Sequence, residues 1–467
     1  MNIGELVAAQ KAFFRSGATL DSRFRRAQLE KLLSAVCRFE PDLCAALAAD
    51  LHKSPEESYM TEISMVRGEI RNQLRHLGSR MRRRKVGTPL AHFPCRSYEV
   101  MEPLGTVLVV APWNYPVQLL LCPLAGALAA GCTVVLKSSP SAPETASVLK
   151  RLIEECFRPE YVAIVEGHRD VNAELFAQRF DLIFLTGSPE LGKVAMKAAA
   201  EHLTPVVLEL GGKSPCIVAP GADLKTVARR IAWGKTLNAG QTCIAPDYLL
   251  LHEDVKGAFI EAFRHALEEL HGPDIAASPH YARIVSDKAF ERLVSYLEQG
   301  TVVAGGRHDA ASRFIEPTLL DGVNPDSPVM QEEIFGPVFP VVSWRSAGEL
   351  VDFIVSREKP LALYYFGDER DGWDIVRRCS SGGACINDCI MHIVNHKLPF
   401  GGVGNSGTGA YHGRYSFEAF SHRRAVTVTP TWADLPFRYM PYRCIRLIRR
   451  ILRYARQTDG IATIINN

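Results

Sequence analysis

The sequence predicts an α/β protein with two sheet-containing domains, and three observations support this prediction. The 467 residues are enough for about three structural units, or for two large ones. Hydrophobic residues make up 47% of the chain and charged residues 22%, as in ordinary soluble enzymes, which excludes disordered, collagen-like and coiled-coil proteins. From Gly105 onward, short apolar runs alternate with segments long enough for helices, as in sheets flanked by helices.

The first part of the chain is predicted to form a dinucleotide-binding domain. Apolar residues recur at helical spacing between residues 5 and 80, for example at Leu29, Leu32 and Val36. The alternating region that follows is typical of a doubly wound, Rossmann-like sheet, with strands expected at 106–110, 133–136, 161–165, 182–185 and 206–210. Residues 1–84 and 105–210 are assigned to this domain.

A second α/β domain is predicted over residues 211–412. Helices are expected near 223–237, 254–270, 286–299 and 346–356, and strands near 248–252, 337–343, 361–366 and 383–387. The segments 85–104 and 413–431, the latter with an alternating run at 425–429, fit neither domain and could pair as an arm. Exposed edge strands of this kind predict an oligomer.

The charge balance and the cysteines indicate which binding partners and which cellular compartment to expect. The 54 lysines and arginines exceed the 51 acidic residues by three, too little to make nucleic acid the expected partner. The twelve cysteines are spread along the chain without a disulfide framework, so we interpret them as reduced thiols of a cytoplasmic protein. The N-terminus matches neither a signal nor a transit peptide. Polar residues and prolines interrupt the most apolar stretch, 106–136, so it is interpreted as strand, helix and strand rather than as a membrane span.

Residues 432–467 form a basic tail. In its first part arginines alternate with apolar residues, which predicts a short amphipathic helix containing Arg443, Arg446, Arg449, Arg450, Arg453 and Arg456. Such a helix could make a weak peripheral contact with an anionic membrane, although docking on the protein's own surface is the favoured interpretation. The residues after Thr458 are too few and too polar to span a bilayer.

Three motifs resemble known binding signatures without completing them. Gly187 to Lys193 has the spacing of a phosphate-binding P-loop, but Val194 stands where a hydroxyl is needed, so nucleotide hydrolysis is a weak alternative. The segment 402–407 matches a dinucleotide fingerprint without the required strand and helix, and we interpret it as a flexible glycine loop. A zinc site is not expected, because finger spacing is missing from the cluster of Cys385, Cys389, His392 and His396.

Cys243 and Glu209 are the candidate reacting residues. Cys243 follows a turn rich in glycine and small polar residues directly after an apolar helix, which suits an exposed thiol, although a buried cysteine is the common alternative. Glu209 ends an otherwise apolar strand, where desolvation would raise its pKa toward the range of a general base. A structural carboxylate satisfied by backbone amides remains equally open for Glu209.

The carboxyl ends of the first-sheet strands supply candidate ligand-binding residues. Asn114 follows the first strand and offers an amide donor. Lys137 ends the next strand and should point into the same crevice, toward ribose or phosphate. Residues 186–188 precede a helix that begins near Pro189, where free amides and the positive helix terminus suit a pyrophosphate.

Seven motifs, in this order along the chain, resemble those of aldehyde dehydrogenases. They are 112–114, Lys137, 184–188, 208–213, 240–243, 332–337 and 399–402. The resemblance covers nearly the whole chain. The short N-terminus, residues 243–248 and the stretch from Tyr411 to Arg424 are similar to the class 3 branch, which includes fatty and aromatic aldehyde dehydrogenases.

The resemblance implies an aldehyde dehydrogenase-like fold and a homodimer that oxidises a medium- or long-chain aliphatic or an aromatic aldehyde to its acid with NAD or NADP. Cys243 would attack the carbonyl as a thiolate, while the Asn114 side chain and the Cys243 amide hold the oxyanion. Glu209 would then activate the water that hydrolyses the thioester. Coenzyme A-acylating relatives typically lack that glutamate, so acylation is a minor alternative, as is a binding protein without activity.

The resemblance also implies the cofactor and substrate residues. Glu333 would hold the nicotinamide ribose, with Phe335 packing nearby. Pro140 stands where many NAD-preferring members have a ribose-binding glutamate, so we expect NADP to be accepted well, with Lys137 and Ser139 binding its extra phosphate. The complete predicted set is Trp113, Lys137, Ser139, Thr186, Gly187, Ser188, Gly192, Leu210, Gly211, Glu333 and Phe335 for the cofactor, and Tyr115, Leu237 and His392 for an apolar substrate tunnel.

Overall fold

Helices form the beginning of the chain, as the apolar spacing predicts. The structure is a computed structural model that describes residues 2–89, 92–434, 439–441, 445–446 and 449–450. Within the first 81 residues the helices are Ile3–Arg15, Ser22–Arg38, Glu40–Leu51, Pro55–Ser58, the π-helical turn Tyr59–Ile63 and Ser64–Met81. The first helix begins with a capping box, in which Asn2 and Glu5 each accept the other's backbone N–H. Leu29, Leu32 and Val36 are buried, as their spacing predicts.

A six-stranded sheet contains the five strands that the sequence predicts for the first domain. These five are parallel, and a short sixth strand joins antiparallel at one edge. The central strands are apolar throughout because helices cover both faces of such a sheet. Across the sheet the strands are Gly407–Thr408, Val206–Leu210, Leu182–Gly187, Thr106–Val110, Thr133–Lys137 and Val162–Val165.

Four helices connect these strands. They are Pro116–Ala130, Pro143–Cys156, Arg169–Phe176 and Pro189–Ala200. Three of them begin with proline, whose fixed φ suits the first helical position. Pro116–Ala130 is buried along its whole length, which explains the most apolar stretch of the sequence. In the described ranges, every helix is too short or too polar to cross a membrane.

The second sheet has seven strands, all parallel except the antiparallel edge strand Thr301–Ala304. Across the sheet they are Thr301–Ala304, Thr318–Asp321, Val338–Trp344, Tyr248–His252, Pro215–Val218, Ala362–Phe366 and Gly383–Ile386. The helices of this half are Leu224–Thr236, Lys256–His271, Asp287–Ser295, Pro328–Gln331, Ala347–Val355 and Glu369–Arg378. A two-stranded ribbon, His308–Asp309 with Phe314–Ile315, completes it.

The third sheet joins two distant parts of the chain. Arg96–Pro103 pairs with Arg84–Val86 on one side and with Ser421–Val428 on the other, both antiparallel. The two segments predicted to pair as an arm therefore do so, and the later strand begins four residues before the predicted Ala425. The predicted helix at 443–456 lies outside the described residues except at 445–446 and 449–450. The helix Arg414–Ala419, which packs on Pro116–Ala130 and Ser64–Met81 of the first half, leads into the arm.

Candidate functional site

A cleft of about 1060 Å³ lies beside the carboxyl end of the first sheet. Ser188 lines it where the strand Leu182–Gly187 meets the next helix, and Gly212 lines it after the strand Val206–Leu210. Glu333 lines it from the second half of the chain. A cleft of this size at this end of a parallel sheet suits a dinucleotide.

The turn at 186–188 places polar groups at the start of the helix Pro189–Ala200. The Ser188 hydroxyl accepts the Leu191 N–H at 3.3 Å and so caps the helix. The Thr186 hydroxyl is buried and has no hydrogen-bond partner among the described residues. Gly192 allows the helix to approach the sheet, because a Cβ there would lie 2.9 Å from the Leu210 side chain. The segment with P-loop spacing is thus this turn and the first turns of the helix.

Glu333 contacts the glycines that follow the strand of Glu209. Its carboxylate accepts the Gly212 N–H, and a Cβ on Gly211 would collide with that carboxylate. Burial and, to a smaller extent, the charge of Asp247 raise the pKa of Glu333 to about 8, although the Gly212 amide acts in the opposite direction. A partly protonated carboxyl near neutral pH can both donate and accept hydrogen bonds, as ribose hydroxyls require.

Phe335 and Trp113 bring the two halves of the chain together. Their rings meet edge to face with centroids 5.5 Å apart. Phe335 has a φ of +51°, a left-handed conformation that is unusual for an aromatic residue. The segment that carries Glu333 is therefore packed against the turn that carries Asn114.

Lys137 is buried at the end of its strand. Its Nζ donates to the carbonyl oxygens of Ser138 at 2.6 Å and Gly167 at 2.8 Å, and burial lowers its pKa. An ammonium group has three hydrogens, so one remains for a ligand. Ser139 is partly exposed, and its hydroxyl accepts the Ser141 N–H at 3.3 Å. Pro140 is exposed.

Cys243 follows a turn with three consecutive left-handed residues. Asn238, Ala239 and Gly240 have φ of +50°, +52° and +75°. This conformation costs a non-glycine residue about 1–2 kcal/mol. Glycine is required at the third position, because a Cβ on Gly240 would collide with the carbonyl of Gly336. The turn leaves Cys243 partly exposed, as the sequence predicts.

The surroundings of Cys243 favour the neutral thiol. Burial raises its pKa well above the usual range, and the carboxyl groups of Glu333 and Glu209 add to this effect. The backbone amides of Cys243 and Ile244 act in the opposite direction. Nucleophilic attack therefore requires a group that removes the thiol proton.

The Asn114 amide lies against the Cys243 loop. Its Nδ2 donates to the Gln241 carbonyl at 3.0 Å, which leaves its second hydrogen for another acceptor. The backbone carbonyl of Asn114 accepts from Lys53 Nζ at 3.1 Å and from Asn238 Nδ2 at 3.0 Å. The predicted amide donor is thus fixed next to the predicted nucleophile.

Glu209 is a buried carboxyl group at the carboxyl end of the strand Val206–Leu210. Within the described residues neither of its oxygens has a hydrogen-bond partner, and burial raises its pKa well above the ordinary value. A structural carboxylate would be surrounded by amide donors, which are not found here. A Cβ on Gly401 would lie 3.1 Å from Glu209 Oε1, so the glycine keeps space beside it. The expected glycine loop contains the turn Gly404–Ser406 and ends in the strand Gly407–Thr408, whose Gly407 pairs with Glu209.

The three predicted substrate residues fall in two places. The Tyr115 hydroxyl lies 2.7 Å from the Thr242 hydroxyl, and Leu237 accepts from Thr242 at 3.5 Å, so both lie next to Cys243. His392 instead lines a separate cavity of about 500 Å³. Its Nδ1 lies 3.3 Å from Cys385 Sγ, and burial lowers the pKa of His392 to about 4. In the described part of the chain, no three potential metal ligands gather around one point.

Sequence reasoning missed three buried charged residues behind the site. Lys53 and Glu62 form an ion pair of 2.7 Å, and Glu57 accepts the Asn238 N–H at 2.9 Å. Charged residues in a helical region are usually exposed, and no sequence spacing marks these three as buried. Only the fold brings them behind Asn114 and the Cys243 loop.

Comparisons with known proteins identify the family. The family model described as "Aldehyde dehydrogenase family" matches residues 2–426. The 4,4'-diaponeurosporen-aldehyde dehydrogenase of Staphylococcus aureus is 46% identical over 93% of this chain and 95% of its own length. The dimeric NADP-preferring aldehyde dehydrogenase of Canis lupus familiaris is 43% identical over 94% and 98%.

A solved structure agrees with these matches. The structure described as the substrate-bound state of Staphylococcus aureus AldH superimposes with a TM-score of 0.95 and 44% identity, over 97% of this chain and 100% of that one. Further relatives, 43% to 46% identical, are named members of aldehyde dehydrogenase family 3. The predicted fold, class 3 resemblance and NAD(P)-dependent aldehyde oxidation are therefore confirmed, and the chain belongs to the aldehyde dehydrogenase family.

Proposed function

We propose that Cys243, Glu209 and Asn114 form the reacting centre of this aldehyde dehydrogenase. The observation that carries the proposal is Glu209, a buried carboxyl without a hydrogen-bond partner among the described residues, at a strand end beside the glycine-rich segment 401–407. Leaving a polar group unpaired in a protein interior is costly, so it is expected where a ligand or water completes the site.

The first step forms a covalent bond between Cys243 and the aldehyde. As the Cys243 Sγ bonds to the carbonyl carbon, Glu209 accepts the thiol proton, directly or through one water. The carbonyl oxygen becomes an oxyanion. The free hydrogen of Asn114 Nδ2 and the Cys243 N–H stabilise it, each by about 3–4 kcal/mol. The product of this step is a thiohemiacetal.

The cofactor residues fit a bound dinucleotide. The Ser188-capped helix and the unpartnered Thr186 hydroxyl offer donors to its phosphates, and Glu333 would orient the ribose next to Cys243. When bound, the nicotinamide ring supplies an acceptor for the hydride that the oxidation releases. The edge-to-face rings of Phe335 and Trp113 supply apolar surface in this region.

The last step releases the acid. Loss of the hydride from the thiohemiacetal leaves a thioester on Cys243, and Glu209 returns the thiol proton to solvent. Glu209 then accepts a proton from water, and the resulting hydroxide adds to the thioester carbon. The C–S bond breaks, the carboxylic acid leaves, and Glu209 gives its proton to the sulfur of Cys243. The raised pKa of Glu209 suits a group that takes up protons at neutral pH.

The substrate and cofactor preference are part of the proposal. Tyr115 and Leu237 place apolar surface beside Cys243, which suits a medium- or long-chain aliphatic or an aromatic aldehyde. Pro140 leaves no carboxylate to repel a ribose phosphate, so NADP is used at least as well as NAD. A relative is named NADP-preferring, in line with this assignment.

We propose that the protein is located in the cytoplasm and forms a homodimer. The eleven described cysteines are all unpaired, as in a reducing compartment. The arm strand Ser421–Val428 lies at an edge of its sheet, and most of its side chains are exposed. A relative is named dimeric. Weak peripheral membrane contact through the basic tail stays a prediction, since that tail lies largely outside the described residues.

Steady-state kinetics with a panel of aliphatic and aromatic aldehydes, each with NAD and NADP, tests the proposal. Cys243→Ala is expected to abolish formation of reduced nicotinamide. Cys37→Ala, at an exposed cysteine, is the matched control and should keep wild-type activity. Full activity of Cys243→Ala would contradict the proposed nucleophile.

A further inference from the structure

The turn at 238–240 needs external support, since Asn238 and Ala239 adopt left-handed backbone conformations that disfavour side chains. The Gln241 side chain and backbone amide both donate to the Asn238 carbonyl at 3.0 Å, and Asn238 Nδ2 donates to the Asn114 carbonyl. These bonds link the turn to itself and to the Asn114 segment.

One hydrogen bond anchors this turn to the N-terminal helices. Glu57 Oε1 accepts the Asn238 N–H at 2.9 Å, and Glu57 itself is 7% exposed. The backbone of Glu57 is held by two hydrogen bonds, since its N–H donates to Ser54 Oγ at 3.1 Å and its carbonyl accepts from Thr61 Oγ1 at 2.8 Å. The backbone that carries this acceptor is therefore fixed beside the strained turn.

We propose that Glu57 is a positioning residue for aldehyde oxidation, whose carboxylate holds the left-handed turn at 238–240 and thereby the placement of Cys243 and the Asn114 amide. This inference rests on the proposed roles of Cys243 and Asn114. In this proposal Glu57 acts through Asn238, whose N–H its carboxylate accepts.

Three neighbouring groups set the charge of Glu57. The positive charge of Lys53 favours the ionised form of Glu57, although Lys53 Nζ is already hydrogen-bonded to Glu62 and to the backbone carbonyl of Asn114. The Asn238 N–H also favours the carboxylate, whereas Glu62 repels its negative charge. The nearby Tyr115 hydroxyl stays neutral, because burial and then the charge of Glu57 raise the pKa of Tyr115. With burial as the largest cause, the pKa of Glu57 is raised to about 7.

The hold on the turn therefore depends on pH. An ionised acceptor makes a stronger hydrogen bond than a neutral one, so the turn is held best above pH 7 and less well below it. Ionising a buried carboxyl also costs stability, because a raised pKa means that the folded protein binds the proton more tightly than the unfolded chain. Positioning and stability thus change in opposite directions as the pH rises.

Glu57→Gln tests the proposal, since glutamine keeps the acceptor and removes the charge. We expect kcat of the variant to be about 5- to 10-fold below wild type at pH 8.5, close to wild type at pH 6, and KM to change less than twofold. The melting temperature at pH 8.5 should equal or exceed that of wild type. Amide hydrogen exchange in the peptide 237–243 should be faster in the variant at pH 8.5.

Controls separate this inference from the proposed reaction. Glu56→Gln changes the adjacent, exposed glutamate and should keep the wild-type pH profile of kcat. An active Cys243→Ala would show that the proposed nucleophile is wrong. If Cys243→Ala is inactive, two results for Glu57→Gln overturn the positioning role alone: a wild-type kcat profile, or a loss equal at every pH with a lower melting temperature.

Discussion

Lys53 and Glu62 form an ion pair from which solvent is excluded, with both side chains 0% exposed and Nζ 2.7 Å from Oε1. The second Glu62 oxygen accepts the Val117 N–H at 2.8 Å, at the positive end of the helix Pro116–Ala130. Lys53 Nζ donates to the Asn114 carbonyl. The pair therefore joins the N-terminal helices to the turn that carries Asn114, the proposed oxyanion donor.

Lys53→Met should lower the free energy of unfolding by about 3–5 kcal/mol, because it leaves the Glu62 charge buried and unpaired. Urea denaturation measures this loss. Lys150→Met breaks an exposed pair with Glu166 and should change stability by less than about 1 kcal/mol. Adding Glu62→Gln to Lys53→Met should restore part of the loss; no restoration would argue against an unpaired charge as the cause.

Glu209→Gln should lower kcat by about 10²- to 10⁴-fold with little change in KM, since the variant lacks the proton acceptor for both covalent steps. Burial raises the pKa of Glu209, so its carboxylate fraction, and the wild-type rate, should increase with pH. The variant should lose this increase in a kcat profile. Glu201→Gln, at an exposed glutamate, is the control. Retention of the wild-type pH profile in Glu209→Gln would rule out this role.

Asn114→Ala should reduce kcat by about 10²- to 10³-fold because it removes one oxyanion donor. Its effect on aldehyde affinity should be small, since the donor acts mainly on the charge that develops during attack. Stopped-flow measurement of the first turnover reports this step directly. An unchanged rate of first turnover would show that the Nδ2 hydrogen is not used.

Glu333→Gln should weaken dinucleotide binding and change the pH dependence of stability. The pKa of Glu333 is raised from 4.5 to about 8, so its contribution to stability is complete below pH 4.5 and is lost as the pH rises to about 8. The variant should therefore melt at a higher temperature than wild type at pH 9 and at the same temperature near pH 4.5. Equal melting temperatures at both pH values would contradict the raised pKa.

Pro140→Glu should shift cofactor preference toward NAD. A carboxylate at this exposed position would repel the phosphate of NADP and could bond the ribose hydroxyls of NAD. We expect the ratio of kcat/KM for NADP to that for NAD to fall at least about tenfold. Ser141→Glu adds the same charge at an exposed neighbour and should have a smaller effect. If Pro140→Glu leaves this ratio of kcat/KM values unchanged, the extra phosphate of NADP does not bind near residue 140.

Most apolar strands were predictable from the sequence, and three strands of the second sheet were not. The five parallel strands of the first sheet appear as runs of apolar residues bounded by polar ones, and four of the seven strands of the second sheet follow the same pattern. Pro215–Val218, Thr301–Ala304 and Thr318–Asp321 have four residues each and were missed. Length alone is not the reason, since Val162–Val165 and Gly383–Ile386 are equally short and were predicted. The pairing of the missed strands is determined by neighbouring strands, which a local pattern does not encode.

Residues of the candidate site were predictable where the residue type is unusual in its sequence surroundings. A glutamate in an apolar strand and a cysteine after a glycine turn attract attention, and their roles stay predictions. In the structure Glu209 is buried and Cys243 is partly exposed. Lys137 differs, since it bonds the Gly167 carbonyl, and Glu57 was not recognised at all. Both depend on contacts between residues far apart in sequence, which neither periodicity nor motif spacing encodes.

The pairing of Gly407 with Glu209 also determines when the site can form during synthesis. About 200 residues separate the two, so at about 5–20 residues per second a ribosome needs about 10–40 s to reach the second after making the first. During this interval the edge of the first sheet next to Glu209 lacks its last strand. A nascent chain can therefore complete the other five strands of this sheet well before the proposed base is enclosed.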